Sequence, residues 1–178
     1  MYKEYGKESV EEVFKDIASA SIRSKDLVNQ MKDLESAISS GSELTKLDVE
    51  TEIKKSAKTF SDLNISIEGG GSVMADSAFP AIFSNFFRNS IMHGGAKNIH
   101  IKIKENKNNI EITTADDGKG IPDEVKPKLF NEGAKFGETG NTGLGLYIIR
   151  KTIERYGGTI RVENNKPKGA RFIVSLPS

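Results

Sequence analysis

The sequence has 178 residues, with 26 Lys and Arg against 25 Asp and Glu, 36% hydrophobic residues and no Cys. That length suits one domain, or one domain with an appendage, and the apolar share supports a packed core. A net charge of +1 argues against a nucleic-acid-binding domain, and the lack of Cys excludes disulfides, thiolate catalysis and Cys-based metal sites. Two histidines, His93 and His100, are too few for most metal clusters. No apolar run approaches the ~20 residues that span a bilayer, and no signal peptide opens the chain. A cytoplasmic setting without direct membrane contact is therefore expected, although a longer parent protein could be membrane-anchored.

Residues 1–44 are net acidic and 45–178 net basic, which suggests two units. Residues 8–40 contain no Gly or Pro. Val10, Ile17, Met31 and Ile38 with Val13, Ala20, Leu27 and Leu34 fall on heptad positions a and d, interrupted only by Ser24. This predicts an amphipathic helix about 50 Å long, ending at Gly41, whose stripe packs on another helix of the same protein or a second chain, or else along its own domain. Gly41–Thr45 reads as a linker. Asp48–Phe60 reads as a helix capped by Asp48, Leu63–Glu68 as a strand and Ser72–Ala75 as a short strand. A helix capped by Ser77, or by Asp76, runs from Pro80 in its first turn to about Met92. Lys97–Glu105 and Ile110–Ala115 alternate as a hairpin with Ile99, Ile101 and Ile103 inward. Pro122–Phe130 is read as a short helix and Asn131–Thr142 as a Gly-rich loop. Leu144–Tyr156 reads as a helix burying Leu146, Ile149 and Ile153, followed by a closing hairpin of Thr159–Glu163 and Ala170–Leu176. The fold class is α+β: a two-layer α/β sandwich, its mixed or antiparallel sheet covered by helices on one face, after a long N-terminal helix.

Three motifs carry chemistry. Asn85, Asn89 and His93 are spaced by four and share a helix face. Amides mid-helix are either a solvated face or neutral ligands for Mg²⁺ and phosphate. Asp116-Asp117-Gly118-Lys119-Gly120-Ile121 follows a strand. It is either an ordinary Asp-Gly turn or a bend that brings a carboxylate and bare backbone to a flat ligand. Gly140-Asn141-Thr142-Gly143-Leu144-Gly145-Leu146 opens a helix, where free N–H groups suit a polyphosphate. Asn89, Asp116 and Gly143 follow one another at intervals of 27 residues.

In this order the motifs resemble the catalytic ATP-binding domain of sensor histidine kinases, in the superfamily of gyrase, Hsp90 and MutL ATPases (the Bergerat fold). FSNFFRNSIMHGG resembles the N box, DDGKGI the G1 box, LFNEGAKFG the F box and lid, NTGLGLYIIRKTIERYGG the G2 box, and GARFIVSLP the closing strand. The resemblance covers 45–178. It implies that Asn89 holds Mg²⁺ and that Asn85 contacts phosphate of ATP or ADP. It further implies that Asp116 accepts from the adenine amine, within a pocket shaped by Gly118, Gly120 and Ile121. Phe130 takes the aromatic position, and His93 lines the site. Thr142, Gly143, Leu144, Gly145 and Leu146 cradle the phosphates, and Lys135 in the lid meets the outer one. Two departures stand out. Met92 replaces a usual basic residue, leaving Mg²⁺ and Lys135 to balance the phosphate charge, with Arg88 about 100° away on the helix. Ala170 replaces a frequent Thr.

ATP-hydrolysing branches place Glu at position 85. An amide there cannot take a proton from water, which favours a kinase. Residues 1–44 resemble the second helix of the dimerisation hairpin, without an acceptor His. The resemblance thus implies transfer of the γ-phosphoryl to a His on the kinase's own dimerisation domain and relay to an Asp of a response regulator receiver domain. It also implies a homodimer in the full-length protein, and a fragment that binds ATP but does not autophosphorylate alone. The competing readings are a serine kinase of the anti-sigma-factor type and a nucleotide-gated interaction module without catalysis.

Overall fold

In the computed structural model, residues 7–38, 43–134 and 143–178 are described. The expectations for Gly41, Lys135 and Thr142 lie outside them. Helix α1 spans Lys7–Ile38. Strand β1 (Thr45–Asp48), helix α2 (Val49–Ala57), strands β2 (Asn64–Glu68) and β3 (Ser72–Ala75) and helix α3 (Phe79–Asn89) follow. A π-helical turn at Ser90–Gly94 extends α3. Then come β4 (Asn98–Glu105), β5 (Asn109–Asp116), a 3₁₀ turn at Lys126–Lys128, α4 (Gly145–Arg155), β6 (Thr159–Asn164) and β7 (Ala170–Pro177).

The main sheet has the order β2-β4-β5-β7-β6. Its first pair is parallel and the others antiparallel, so the sheet is mixed. Alternation explains its two faces. Ile99, Ile101 and Ile103 of β4, Ile110 and Ile112 of β5, and Phe172, Val174 and Leu176 of β7 are buried. They meet Ile53 of α2, Phe79, Phe83, Phe86 and Phe87 of α3, and Ile149 and Ile153 of α4. Phe86 stacks on Phe172 with ring centroids 4.8 Å apart. Each fully buried Phe contributes roughly 1.5–3 kcal/mol. The α+β sandwich with helices on one face is therefore observed.

Several local expectations change. Thr45, read as the end of the linker, and Lys46–Asp48 form β1, which pairs antiparallel with β3 from Thr45↔Ala75 to Asp48↔Ser72. Asp48 caps α2 by accepting from the Thr51 amide. Ser77 does not cap α3: the N-cap is Ala78, without a side-chain bond, and Ser77 is exposed. Asp76 Oδ1 takes the Ala78 amide at 3.0 Å instead. Pro122–Phe130 forms only the 3₁₀ turn, since Pro127 supplies no N–H for a continuing helix. Leu146 is half-buried, whereas Ile148 and Thr152 join Ile149 and Ile153 inside. On α1, Val10, Val13, Phe14, Ile17, Ile22, Leu27, Val28 and Met31 are all exposed.

A partly buried ion pair joins the entry to α3 with the end of α4. Arg155 grips Asp76 with both terminal nitrogens, at 2.6 and 3.0 Å. The Tyr156 hydroxyl donates to Asp76 Oδ1 at 2.5 Å. Burial opposes the Asp76 charge, but Arg155, Tyr156 and the Ala78 amide together hold its carboxyl below the ordinary value. Burial, then the bond to Asp76, raises the Tyr156 hydroxyl. Removing one partner leaves the other charge stranded inside the fold. Asp76→Ala is expected to cost about 3–5 kcal/mol in urea denaturation. The double variant with Arg155→Met should cost less than the sum of its singles.

Candidate functional site

Asp116 closes β5 and points inward, 5% exposed. Its Oδ2 accepts from Ser90 Oγ at 3.0 Å. Its Oδ1 accepts from the Gly118 amide at 2.9 Å and the Ala170 amide at 3.0 Å. Three of roughly four acceptor positions on a carboxylate are thus filled, and one on Oδ2 remains. The Asp116 carbonyl accepts from Asn165 Nδ2 at 2.8 Å. Its neighbour Asp117 faces the other way and takes the Lys97 and Asn98 amides and Asn98 Nδ2. The two carboxylates therefore have separate jobs: Asp116 shapes the interior, while Asp117 staples the end of β5 to the start of β4.

Glycine is required around Asp116. A Cβ at Gly118 would stand 2.8 Å from the Gly94 carbonyl oxygen, and one at Gly169, with φ +109°, would stand 1.9 Å from that of Asp116. The Lys119 amide donates to Gly94 O at 3.0 Å, so the bend after β5 lies on the π-helical turn after α3. Gly120 has φ +79°, and Ile121 is half-buried against the core. Phe130 meets Phe172 edge-on at 6.4 Å.

Asn85 is 2% exposed, which excludes a solvated face for it. Its Nδ2 donates to Ala81 O at 3.0 Å, and Arg88 Nη1 turns back toward its Oδ1 at 3.4 Å. The start of α4 lies against the same amide: a Cβ on Gly145 would stand 3.1 Å from Asn85 Oδ1. Asn89 Nδ2 is buried without a partner among the described residues. His93 lies in the π-helical turn, whose wider repeat takes it off the line that Asn85 and Asn89 share. Burial, then the charge of Lys119, holds the His93 imidazole below its ordinary proton affinity.

Helix α4 begins at Gly145 with Leu144 as N-cap and no capping side chain. Its first-turn N–H groups are the donors that a helix leaves unmet. Gly143, at φ +70°, lies where a Cβ would stand 2.6 Å from Ala134 O. Among the described residues no cluster of three or more His, Asp or Glu could hold a metal. A divalent ion here would depend on Asn89 and on oxygens of its own ligand, the usual manner of Mg²⁺. The unmet Asn89 Nδ2 donor and the glycine-bared helix start fit the phosphate oxygens of such a group, and the amide oxygen of Asn89 is the atom that would face the ion. Ser90, Asn165 and Gly169 support the site without having been singled out from the sequence for that role. Ser90 offered only one signal, a small polar residue beside Asn89.

The family of histidine kinase-, DNA gyrase B- and HSP90-like ATPases matches residues 74–178. Sensor histidine kinase DpiB of Escherichia coli is 31% identical over 106 residues, covering 56% of this chain and 19% of that protein. The nucleotide-free catalytic domain of histidine kinase ThkA is 26% identical with a TM-score of 0.67, covering 76% of this chain and 96% of that one. ThkA in complex with response regulator protein TrrA has a TM-score of 0.68 at 23% identity, covering 99% of this chain and 52% of that one, a likeness of fold alone. The chain spans less than a third of the length of the curated relatives it matches.

Its hydrogen bonds from β4 lower the Asp117 carboxyl to about 2, with the Asn98 side chain the largest cause. A folded value below the unfolded one of about 3.9 makes the contribution complete above roughly pH 4 and lost toward pH 2. Asp117→Asn should therefore lower the urea midpoint at pH 6, and the gap from the unmodified chain should close between pH 4 and pH 2.

Proposed function

The chain belongs to the family of histidine kinase-, DNA gyrase B- and HSP90-like ATPases, and from that premise we propose that it is the ATP-binding catalytic part of a sensor histidine kinase. The observation that carries this is a buried Asp116 with one acceptor position left, bonded through Ser90 to the helix end where the Asn89 amide is unmet. In this reading Asp116 accepts from the exocyclic amine of adenine. Gly118 and Gly120 admit the ring, Ile121 packs beside it, and Phe130 and His93 border it. The N–H groups from Gly143 to Leu146 receive the phosphates, and Thr142 is assigned to the same group from the motif alone.

Asn89 would hold Mg²⁺ through its amide oxygen, and the ion would offset phosphate charge. Asn85 contacts phosphate and cannot deprotonate water, so hydrolysis is not promoted. Lys135 is the cation assigned to the outer phosphate. The chemical step is attack by an imidazole nitrogen of a supplied His on the γ-phosphorus. The bond to the bridging oxygen breaks, and ADP leaves. Positioning and charge neutralisation are this chain's contribution.

Residues 1–44 then belong to the dimerisation hairpin, and the exposed α1 stripe suits a helical partner there. The phosphoryl passes onward to the Asp of a response regulator, the class of protein seen with ThkA. No described helix is long and apolar enough to cross a membrane.

Calorimetric titration with Mg-ATP should give binding, and Asp116→Asn should weaken it about 10- to 100-fold, the worth of a hydrogen bond to a charged group. With a supplied His-bearing hairpin and labelled ATP, base-stable, acid-labile phosphate should appear on the hairpin and none on this chain alone. Serine phosphate, or binding without transfer, would replace the histidine-kinase reading. No binding at all would remove the nucleotide reading.

A further inference from the structure

Among the described residues, strand β2 ends the main sheet and pairs with β4 alone. The Asn64 amide donates to Lys97 O at 2.9 Å, and the parallel register runs from Asn64↔Asn98 to Glu68↔Lys102. Along such a ladder alternate residues turn their backbone groups to the neighbour. Asn64, Ser66 and Glu68 therefore spend their N–H and C=O groups on β4, and those of Ile65 and Ile67 point out from the sheet. The opposite edge is guarded by charge. Strand β6 carries Arg161 and Glu163, tied into ion pairs with Glu111 and Arg171, and such charges discourage a further strand. Strand β2 has no Pro and no break in its register. Its one charge, Glu68, is its last residue and is met by Lys102 at 2.7 Å.

Beside this edge, between β2 and α2, lies a groove of about 530 Å³. Phe60, Leu63, Ile65 and Ile67 give it apolar walls, and Glu50 and Lys54, paired at 2.7 Å, bring both signs of charge. Ile65 and Ile67 are half-buried there, whereas Asn64, Ser66 and Glu68 are exposed on the other face. Helix α1 lies elsewhere: it packs on α4, and α4 lies by β6 at the far edge. Unspent backbone beside an apolar groove suits an added strand with apolar side chains at alternate positions.

We propose that β2 pairs antiparallel with β2 of a second copy of this chain, about a two-fold axis at Ser66. The proposal stands apart from the nucleotide reading above. In this register Ile65 faces Ile67 of the second copy, and Ile67 faces its Ile65. These are the residues whose outward N–H and C=O groups are unspent, so each pair exchanges two hydrogen bonds. Their side chains lie on the inner face and join the apolar walls of the two grooves. On the outer face Glu68 meets Asn64 of the second copy, a carboxylate opposite an amide, and no like charges on β2 stand directly opposite each other. Moving the axis to Ile65 or Ile67 would keep one isoleucine pair instead of two. An unrelated strand would need its own match to β2, whereas a second copy supplies the match by symmetry.

The chain has no Cys, so a single introduced thiol reports its own position. Ser66 is exposed. It would face its counterpart in a non-hydrogen-bonded pair with Cα atoms about 4.5 Å apart, within disulfide range. Asn64 and its counterpart would stand about 13 Å apart along the strands, out of range. Under mild oxidation Ser66→Cys should form a disulfide-linked dimer about tenfold faster than Asn64→Cys or Glu68→Cys alone. A mixture of Asn64→Cys with Glu68→Cys should link as readily as Ser66→Cys. Ile67→Pro removes an N–H that β4 does not use, and should suppress linking by Ser66→Cys while the melting transition is kept. Equal linking by all three single variants would mark random collision and overturn the proposal. So would no linking by Ser66→Cys, which leaves the edge to a different strand, or a mixture that links no faster than its separate members. If Ile67→Pro does not fold, the mixture decides alone.

Discussion

The carboxylate of Asp116 is buried, and a buried carboxylate has to be given hydrogen bonds or the fold loses several kcal/mol. Its donors come from three separate stretches of chain: Ser90 after α3, the Gly118 amide after β5 and the Ala170 amide at the start of β7. Meeting that need draws the three stretches into contact. The contact is so close that Gly118 and Gly169 leave no room for a side chain. The shape of the candidate site is therefore a consequence of satisfying one charge. The same charge, with one acceptor position left over, is what the site offers to a ligand.

Helices α3 and α4 are held to each other at two places. At one, Arg155 and Tyr156 bind Asp76 just before α3. At the other, Gly145 lies against the Asn85 amide. Between them the aromatic residues of α3 pack on the sheet, with Phe86 against Phe172. Fixing both ends of α4 aims its N-terminus, which matters because helix-end N–H groups act on an anion only over the first turn. The glycines that free the start of α4 and the clamp at its other end are thus parts of one device.

What could be read from the sequence followed the range of the forces involved. Strands β4 and β5 were legible because alternation of Ile99, Ile101 and Ile103 is a local pattern imposed by one buried face. The Asp48 cap is likewise local. β1 was not legible: Thr45–Asp48 has no alternation of its own and becomes a strand by pairing with β3, nearly thirty residues away. Ser77 had the chemistry of a cap, yet the Arg155 and Tyr156 bonds to Asp76 set the geometry of that turn, and the N-cap falls at Ala78. In the site, motif order picked out Asn85, Asn89 and Asp116. It could not assign opposite faces to Asp116 and Asp117, nor show Asn85 wholly inside, nor foresee that a π-helical turn takes His93 off the shared line. Those follow from tertiary contacts with β4, β7 and α4.

The residue at position 85 brings fold and chemistry together. Asn85 gives its amide N–H to Ala81 and lies under the start of α4, where the proposed phosphates gather. A carboxylate in this place would set negative charge beside a polyanion and would provide a base for water. The amide does neither, and it still fills a buried position with its donor met. A site of this kind can hold a phosphoryl group without spending it on solvent, so the nucleophile has to arrive on another surface. The long helix α1, with its apolar stripe facing outward, is where such a surface would be carried toward the site. On this view binding and delivery are divided between two units of the chain. On the proposed reading the buried interior of 45–178 would fix the nucleotide, and the exposed face of the N-terminal helix would recruit what receives the phosphoryl.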